Sequence, residues 1–456
     1  MISLASHLRK LCTALLALVL AAASAMAQSA NQGIPLIRDA EIEGLMRLYT
    51  KPVFKAAGIN PGSVRVYLIN DPRINAFVAG GQRIFIHTGL LMQAKTPNEV
   101  IGVLAHESGH IAGGHLARLG IELEHASVTA IVGTLIGVAA MIGGAAAGQS
   151  NTAKAGQGIF LGTQGLAQRN VLSYQRAMEA SADQAALKFL TGSGQSAKGM
   201  LTLFNKLASE SIATIQNVDP YVVSHPIPFD RIRNLEEAAK KSPYFDKADS
   251  AQLVLRHQLM QAKLTGFLER PQKVFQRYPK SDDSLPSRYA RAIAMFRQGD
   301  TKNAVPIIES LTRDLPQDPY FWELLGQAQL EGGQPAKAVA PLRKAVKMLP
   351  GNGLIQILLA QALIATESRD NTEAALKMLR QAQKSESDMP SLFKYMAMAY
   401  GQLGDVGRAE LATAEAAWRT GDKTLAVEKA KSAQAKLKSG SPEWVRANDI
   451  LNFATR

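Results

Sequence analysis

The chain has 456 residues but only one cysteine, and it contains no compact block of basic charge. The single cysteine, Cys12, excludes an intramolecular disulfide and a zinc finger built on cysteine ligands. Lysine and arginine outnumber aspartate and glutamate by 51 to 38, yet no five consecutive residues are all basic. This dispersed charge disfavours nucleic-acid binding. It fits either weak attraction to an anionic membrane face or acidic partners, or an ordinary soluble surface.

The first 27 residues have the pattern of a cleaved signal peptide. Arg9 and Lys10 precede an apolar run over residues 11–23, and an Ala-x-Ala cleavage signal ends at Ala27. The apolar run is shorter than the ~20 residues that a membrane span needs, so we expect cleavage rather than an uncleaved anchor. Cleavage removes Cys12, and a cysteine-free mature chain suits a bacterial periplasm.

We expect a first domain over residues 28–245 and a second over residues 246–456, after the signal peptide at 1–27. The first domain has an α+β pattern, which predicts a mostly helical zincin-type domain with a small sheet that has an exposed edge strand. Strand-like alternation occurs at 64–69 and 83–87, and the short apolar run at 75–79 between them is compatible with a third strand. Helices are predicted over 99–119, 170–191 and 199–211.

Residues 125–153 contain no aspartate, glutamate, lysine or arginine. Within them, residues 126–148 include seven alanines and five glycines, so the segment is only weakly hydrophobic. We favour a mobile loop or helical hairpin that rests on a membrane surface or covers a cleft. A buried helix and a true transmembrane span are the two alternatives.

The second domain shows an internal repeat and no strand signal. Gly299, Gly333 and Gly404 are separated by 34 and 71 residues. Alanines recur in step, at 304, 338, 374 and 409. The period resembles that of tetratricopeptide repeats, whose stacked helix pairs form an all-α superhelix with a concave binding groove. An ordinary helical bundle with coincidental spacing is the alternative.

Residues 106–110 read His-Glu-Ser-Gly-His, an H-E-x-x-H motif within a predicted helix. A spacing of four residues returns His106 and His110 to one helix face, where both imidazoles can bind one Zn²⁺. Glu107 can then reach a water held by the metal and accept its proton as the water attacks a peptide carbonyl.

A third protein ligand has two alternative sources. The metzincin pattern would use Gly113 and then a histidine at position 116, but Leu116 stands there and His115 falls one residue short. If the helix continued, His115 would point about 140° away from His110. The second source is Glu179-x-x-x-Asp183, which places two carboxylates on one helix face. Glu179 can supply the ligand, and Asp183 can orient a histidine or assist proton transfer.

Residues 28–240 resemble the Ste/HtpX-type gluzincin peptidases, the family that includes the CAAX prenyl proteases. The matching features are Asn75-Ala76-Phe77, Gly89-Leu90-Leu91, His106-Glu107-x-x-His110, Glu179-x-x-x-Asp183, and His225-Pro226 followed by Arg231-Ile232. The resemblance implies one Zn²⁺ per chain, with His106, His110 and Glu179 as ligands, Glu107 as general base and Asp183 as a supporting acid. It also implies that an edge strand around residues 75–87 pairs with extended substrate.

His225 has two interpretations. One is a turn histidine that is hydrogen-bonded locally in the rigid Val223–Pro228 loop. The other is a regulatory fourth zinc ligand, which would keep the enzyme latent until substrate displaces it. Arg231 either pairs with an acidic group near the site or is an exposed arginine at a helix start.

The signal peptide, the soluble peptidase domain and the repeats together resemble periplasmic proteases that act in outer-membrane β-barrel assembly. The resemblance implies a zinc endopeptidase for misfolded or stalled outer-membrane proteins, whose repeats recruit clients or the β-barrel assembly machinery. The alternative is a chaperone or adaptor for outer-membrane protein assembly whose protease activity is latent or dispensable. Peripheral membrane contact through residues 125–153 is a further expectation.

Overall fold

The computed structural model describes residues 35–119, 173–213 and 220–454. The predicted signal peptide at 1–27 and the uncharged segment at 125–153 lie outside these residues. Among the described helices, none is both long enough and apolar enough to span a membrane.

Four short strands form one sheet in the order β1-β2-β4-β3. The strands are β1 (Leu36–Ile37), β2 (Arg65–Ile69), β3 (Ala76–Ala79) and β4 (Arg83–His87). β2 and β4 are parallel, whereas β3 and β4 form an antiparallel hairpin. The hairpin turns at Gly80 and Gly81, both at positive φ, a conformation that glycine adopts without steric cost. The structure confirms the three predicted strands, and β3 lies at one edge of this sheet.

The helices of the first domain pack against the sheet and enclose a continuous core that includes Val53, Ile84, Leu104 and Phe204. In chain order they are α1 (Ala40–Ala57), α2 (Thr88–Gln93), α3 (Pro97–Ala112), α4 (173–192), α5 (Lys198–Ala213), α6 (Pro220–Ser224) and α7 (Phe229–Ala239). The predicted helices over 170–191 and 199–211 correspond to α4 and α5. Thr96 caps α3, because its side chain accepts a hydrogen bond from the Glu99 amide.

The predicted helix over 99–119 is too long. α3 ends at Ala112, and Gly113 and Gly114 form a turn before residues 115–119 become helical again. Gly114 has φ 63°, in the left-handed region that glycine tolerates best. The glycine pair therefore breaks the helix, and the direction of His115 that a continuous helix would give does not apply.

The described chain is helical throughout the second domain, as predicted. Its helices are α8 (Ala251–Leu268), α9 (Pro271–Arg277), α10 (Leu285–Arg297), α11 (Thr301–Asp314), α12 (Pro319–Glu331), α13 (Pro335–Met348), α14 (Gly353–Ile364), α15 (Arg369–Ala382), α16 (Pro390–Gln402), α17 (Val406–Thr420), α18 (Lys423–Lys436) and α19 (Pro442–Ala454).

The repeat glycines occupy the turns within helix pairs. Gly299, Gly333 and Gly404 have φ of 80°, 74° and 80°, so each ends the first helix of a pair with a left-handed residue. In the pair α14–α15 the same conformation falls on Glu367, with φ 55°. Glu367 thus stands where the other pairs have glycine, which explains why the glycine spacing increases from 34 to 71 residues.

The two domains share buried polar contacts. In α8, the His257 ring bonds the Tyr49 hydroxyl and the Ala94 carbonyl, each at 3.0 Å. The Tyr289 hydroxyl donates to buried Glu41 at 2.8 Å. α8 also contributes apolar side chains to the cores of both domains. The repeat helices therefore pack directly on the first domain.

Candidate active site

Two helices bring the predicted metal ligands together. α3 carries His106 and His110, whose Nε2 atoms lie 3.0 Å apart. α4 carries Glu179, whose carboxylate oxygens lie 3.3 Å from each of these two nitrogens. One ligand atom from each of these residues and from His225 falls within a common span of 4.8 Å. The structure therefore places the predicted donor set around one point.

Asp183 lies one helical turn beyond Glu179 and contacts the other side of His106. Its Oδ1 lies 3.0 Å from His106 Nδ1, while His106 Nε2 faces the ligand cluster. A carboxylate at the second ring nitrogen fixes the tautomer and orientation of a metal-binding histidine. Asp183 therefore stands where it can orient His106.

Arg231 joins the two carboxylates of α4. Its guanidinium donates to Asp183 at 2.6 Å and 2.8 Å, and lies 3.0 Å from Glu179. A fourth contact, to the Pro226 carbonyl at 2.7 Å, ties the arginine to the loop that follows His225. Of the two interpretations of Arg231, the structure favours the one in which it pairs with acidic groups of the site.

Glu107 is fully buried beside the cluster. Neither of its carboxylate oxygens has a hydrogen-bond partner among the described residues, and His225 Nε2 is 3.5 Å away. Burial raises the pKa of Glu107, although the nearby His225 and His106 partly oppose the shift. Burying a carboxylate without a hydrogen-bond partner costs free energy of folding. The Glu107 carboxylate therefore indicates that the site binds a further polar or charged group.

His225 lies inside the cluster. Its Nδ1 is 3.0 Å from Glu179 Oε1 and 3.3 Å from His106 Nε2. The Tyr221 ring also packs on the His225 ring, with centroids 4.7 Å apart. The loop is therefore not the only element that positions His225. Tyr221 is buried, and no sequence motif singled it out.

His115 contacts His110, which it could not do if the helix continued. Its Nδ1 lies 3.0 Å from His110 Nδ1, on the side of the ring opposite the cluster. The two rings meet edge-on with centroids 5.0 Å apart. The contact depends on the break at Gly113 and Gly114, which a helical projection of the sequence does not include.

The charges of the two cluster histidines differ. Burial lowers the pKa of His110 to about 4, so its ring is neutral at neutral pH, as a metal ligand must be. Burial also tends to lower the pKa of His106, but hydrogen bonds with Asp183 and Glu179 outweigh it and raise the pKa to about 9. The two carboxylates favour positive charge at His106, and they would therefore also favour a metal cation beside this ring.

The donor chemistry agrees with a metal centre. Two imidazoles and one carboxylate are the ligands of many hydrolytic zinc sites. The nearby Glu107, without a hydrogen-bond partner among the described residues, fits the acid–base role that such a site requires. The fold and this arrangement define a metallopeptidase.

Comparisons with known proteins agree with this class. Residues 38–239 match the model of Peptidase family M48, and residues 309–432 match the model of the Cytochrome c-type biogenesis protein H TPR domain. The Beta-barrel assembly-enhancing protease of Yersinia pestis is 24% identical over 419 residues, which are 90% of this chain and 83% of that protein.

Proteins of Escherichia coli strain K12 are also similar. Its Beta-barrel assembly-enhancing protease is 21% identical over 83% of this chain and 76% of its own length. Its Metalloprotease LoiP is 32% identical over 32% of this chain and 52% of its own length. The chain thus has an M48 peptidase domain followed by a tetratricopeptide-repeat domain, and it is a zinc metalloendopeptidase.

Proposed function

We propose that one Zn²⁺ binds to His106, His110 and Glu179, and that this centre cleaves peptide bonds. The proximity of the ligand atoms, within 4.8 Å of one another, carries this proposal. Bound zinc supplies Lewis acidity, which activates water and polarises a peptide carbonyl.

Glu107 is the general base in this proposal. Asp183 is the supporting acidic residue, and its carboxylate orients His106. The Glu107 carboxylate is available because it has no hydrogen-bond partner among the described residues. It accepts a proton from the attacking water and then returns that proton to the leaving amine. Burial raises the pKa of Glu107, which favours acceptance of the proton from water.

The proposed substrates are misfolded or stalled outer-membrane β-barrel proteins in the periplasm. The names of the relatives from Yersinia pestis and Escherichia coli, which refer to β-barrel assembly, support this assignment. Strand β3, at an edge of the sheet and in contact with α3, offers main-chain groups to an unpaired client strand.

The repeat domain would recruit clients or the β-barrel assembly machinery. Export by the signal peptide at residues 1–27 and membrane contact through 125–153 remain part of this proposal.

A second candidate is a chaperone or adaptor for outer-membrane protein assembly whose protease is latent. The position of His225 favours it, because its ring lies within 3.3 Å of both Glu179 and His106. A catalytic zinc site needs an open coordination position for water. We propose that His225 fills that position as a fourth ligand until substrate displaces it.

The test compares the purified full chain with its Glu107→Gln variant and with a control, Glu237→Gln. Glu237 is an exposed glutamate on α7. Zinc per chain is measured by atomic spectroscopy, and hydrolysis is measured on a urea-unfolded β-barrel protein and on an unfolded soluble protein.

We expect about one zinc per chain in all three proteins. Cleavage should fall by roughly 10²- to 10⁴-fold in Glu107→Gln alone, the range for loss of a general base. Absence of zinc from the wild type would contradict the metal site. Zinc without cleavage would favour the adaptor candidate, and equal cleavage of both unfolded proteins would contradict the proposed substrate class.

A further inference from the structure

The two histidines of the H-E-x-x-H motif are held from behind by different partners. Both present Nε2 to the ligand cluster, so Nδ1 of each ring faces away from it. His106 Nδ1 meets the Asp183 carboxylate, but His110 Nδ1 meets another imidazole, that of His115.

We propose that His115 is a positioning residue, which accepts the Nδ1 proton of His110 and so holds the His110 ring with Nε2 directed at the metal. The inference rests on the proposed role of His110 as a zinc ligand. A histidine that offers the Nε2 lone pair to a cation carries its proton on Nδ1. The proton needs an acceptor, because His110 lies largely in the interior.

His115 is suited to be this acceptor. It is 5% exposed, and its Nδ1 lies 3.0 Å from His110 Nδ1. With its own proton on Nε2, the His115 ring offers a lone pair at Nδ1 and stays neutral. It therefore orients His110 without adding a negative charge beside the cluster, unlike Asp183 behind His106.

The local backbone is shaped to bring His115 into this position. Gly114, at φ 63°, reverses the chain after α3, and the next helical turn begins at His115. The imidazole lies directly over Gly113, where an added Cβ would be 2.2 Å from His115 Nε2. A side chain at position 113 would therefore push His115 away from His110 without changing either imidazole.

The test measures zinc affinity of the full-length apoprotein by competition with a chromophoric chelator, with Zn²⁺ alone as the probe. His115→Phe keeps a ring but removes the acceptor. His115→Asn restores an acceptor, because its Oδ1 takes the place of Nδ1. Leu116→Ser is the control, since Leu116 is 44% exposed on the same turn.

We expect His115→Phe to bind zinc about 10- to 100-fold more weakly than the wild type, the range for loss of a group that orients a metal ligand. His115→Asn should recover most of the affinity, and Leu116→Ser should match the wild type. Circular dichroism and thermal unfolding of the apoproteins check that each variant folds. If His115→Phe does not fold, Gly113→Ala replaces it, and the same loss is expected.

Wild-type affinity in the folded His115→Phe or Gly113→Ala variant would overturn the role of His115. A loss in His115→Asn as large as in His115→Phe would also overturn it, because the effect would then come from shape rather than from the acceptor. Failure of the wild type itself to bind zinc would overturn the proposed function as well. The two failures are thus distinguishable.

Discussion

Gly109 lies against the backbone of Ala182, and this contact sets the distance between the two helices that carry the metal-ligand candidates. A Cβ at position 109 would lie 2.7 Å from the Ala182 carbonyl oxygen and 2.9 Å from its Cα. Both neighbours are backbone atoms of α4, so they cannot turn aside as a flexible side chain would. The second x position of the H-E-x-x-H motif, Gly109, therefore needs a residue without a side chain for the two helices to pack.

Gly109→Ala should destabilise the fold by about 1–3 kcal/mol, the usual cost of overpacking a tight contact, and should also weaken zinc binding. It forces α4, and with it Glu179, away from the histidines of α3. Gly401→Ala is the control, because it adds a methyl group in α16 where no atom lies within 4 Å. Thermal unfolding and zinc affinity are the measurements. Equal behaviour of the two variants would show that the helices have room to adjust.

Asp183→Asn should weaken zinc binding by about 10- to 100-fold while the protein stays folded. An amide can present its NH₂ group to His106 Nδ1, which favours the wrong tautomer of a ring whose Nε2 must be free for the metal. Chelator competition measures the affinity. Asp230→Asn is the matched control, because Asp230 is exposed on α7 and pairs only with Arg233 among the ion pairs of the described residues. An unchanged affinity in Asp183→Asn would show that Asp183 does not orient His106.

Much of this site follows from local sequence pattern. The histidine pair and Glu107 lie on one helix, so the four-residue spacing alone predicts their common face. The strands at 65–69 and 83–87 follow equally from alternation along the chain, and the strand at 76–79 follows from a short apolar run between them. These features depend on neighbours in sequence. The structure brings the ligand atoms within 4.8 Å of one another, and the roles of the individual residues remain predictions.

Other features depend on contacts that no local pattern contains. His115 reaches His110 only because the chain reverses at Gly114, whereas helical periodicity points it elsewhere. Arg231 meets Asp183 across 48 residues, and Arg38 meets Glu386 across 348 residues. Such pairs arise from packing of whole elements. The boundary proposed between residues 245 and 246 likewise stays a prediction, since α8 packs into both cores.

His225→Ala should increase hydrolysis of an unfolded β-barrel protein. If the ring fills the open coordination position in most molecules, activity is limited by the fraction in which it has moved away, so an open fraction of about 10% predicts roughly a tenfold increase. His87→Ala is the control, since His87 is a buried histidine of strand β4 that is not a member of the ligand cluster. Initial rates at saturating zinc are the measurement, and unchanged or reduced activity would contradict latency through His225.

Arg231→Lys should reduce zinc affinity and hydrolysis together. A lysine has one charged nitrogen and cannot reproduce the fork that contacts Asp183 twice and Glu179 once. The two carboxylates would then be held less firmly on α4. Arg233→Lys on the same helix is the control, because Arg233 is exposed and pairs with the exposed Asp230. Wild-type zinc affinity in Arg231→Lys would mean that the arginine balances charge without fixing geometry.

Glu41→Gln should change how stability depends on pH at the contact between the two domains. Glu41 is 2% exposed, and its Oε1 has no hydrogen-bond partner among the described residues. Burial raises its pKa from 4.5 to about 7, although Lys263 partly opposes the shift. Between these two values the unfolded chain has lost the proton that the folded chain keeps, so the wild type loses stability as pH rises.

Glutamine cannot ionise, so the variant escapes this loss. The difference in unfolding free energy, variant minus wild type, should therefore increase by on the order of 2 kcal/mol from pH 5 to pH 8, a change expected from a shift of this size. Glu373→Gln is the control, since Glu373 is exposed and its one ion pair among the described residues is with Arg369. The difference for Glu373→Gln should be flat across the same range. A flat difference for Glu41→Gln as well would mean that Glu41 ionises in the folded protein as readily as in the unfolded chain, with Lys263 compensating fully for its burial.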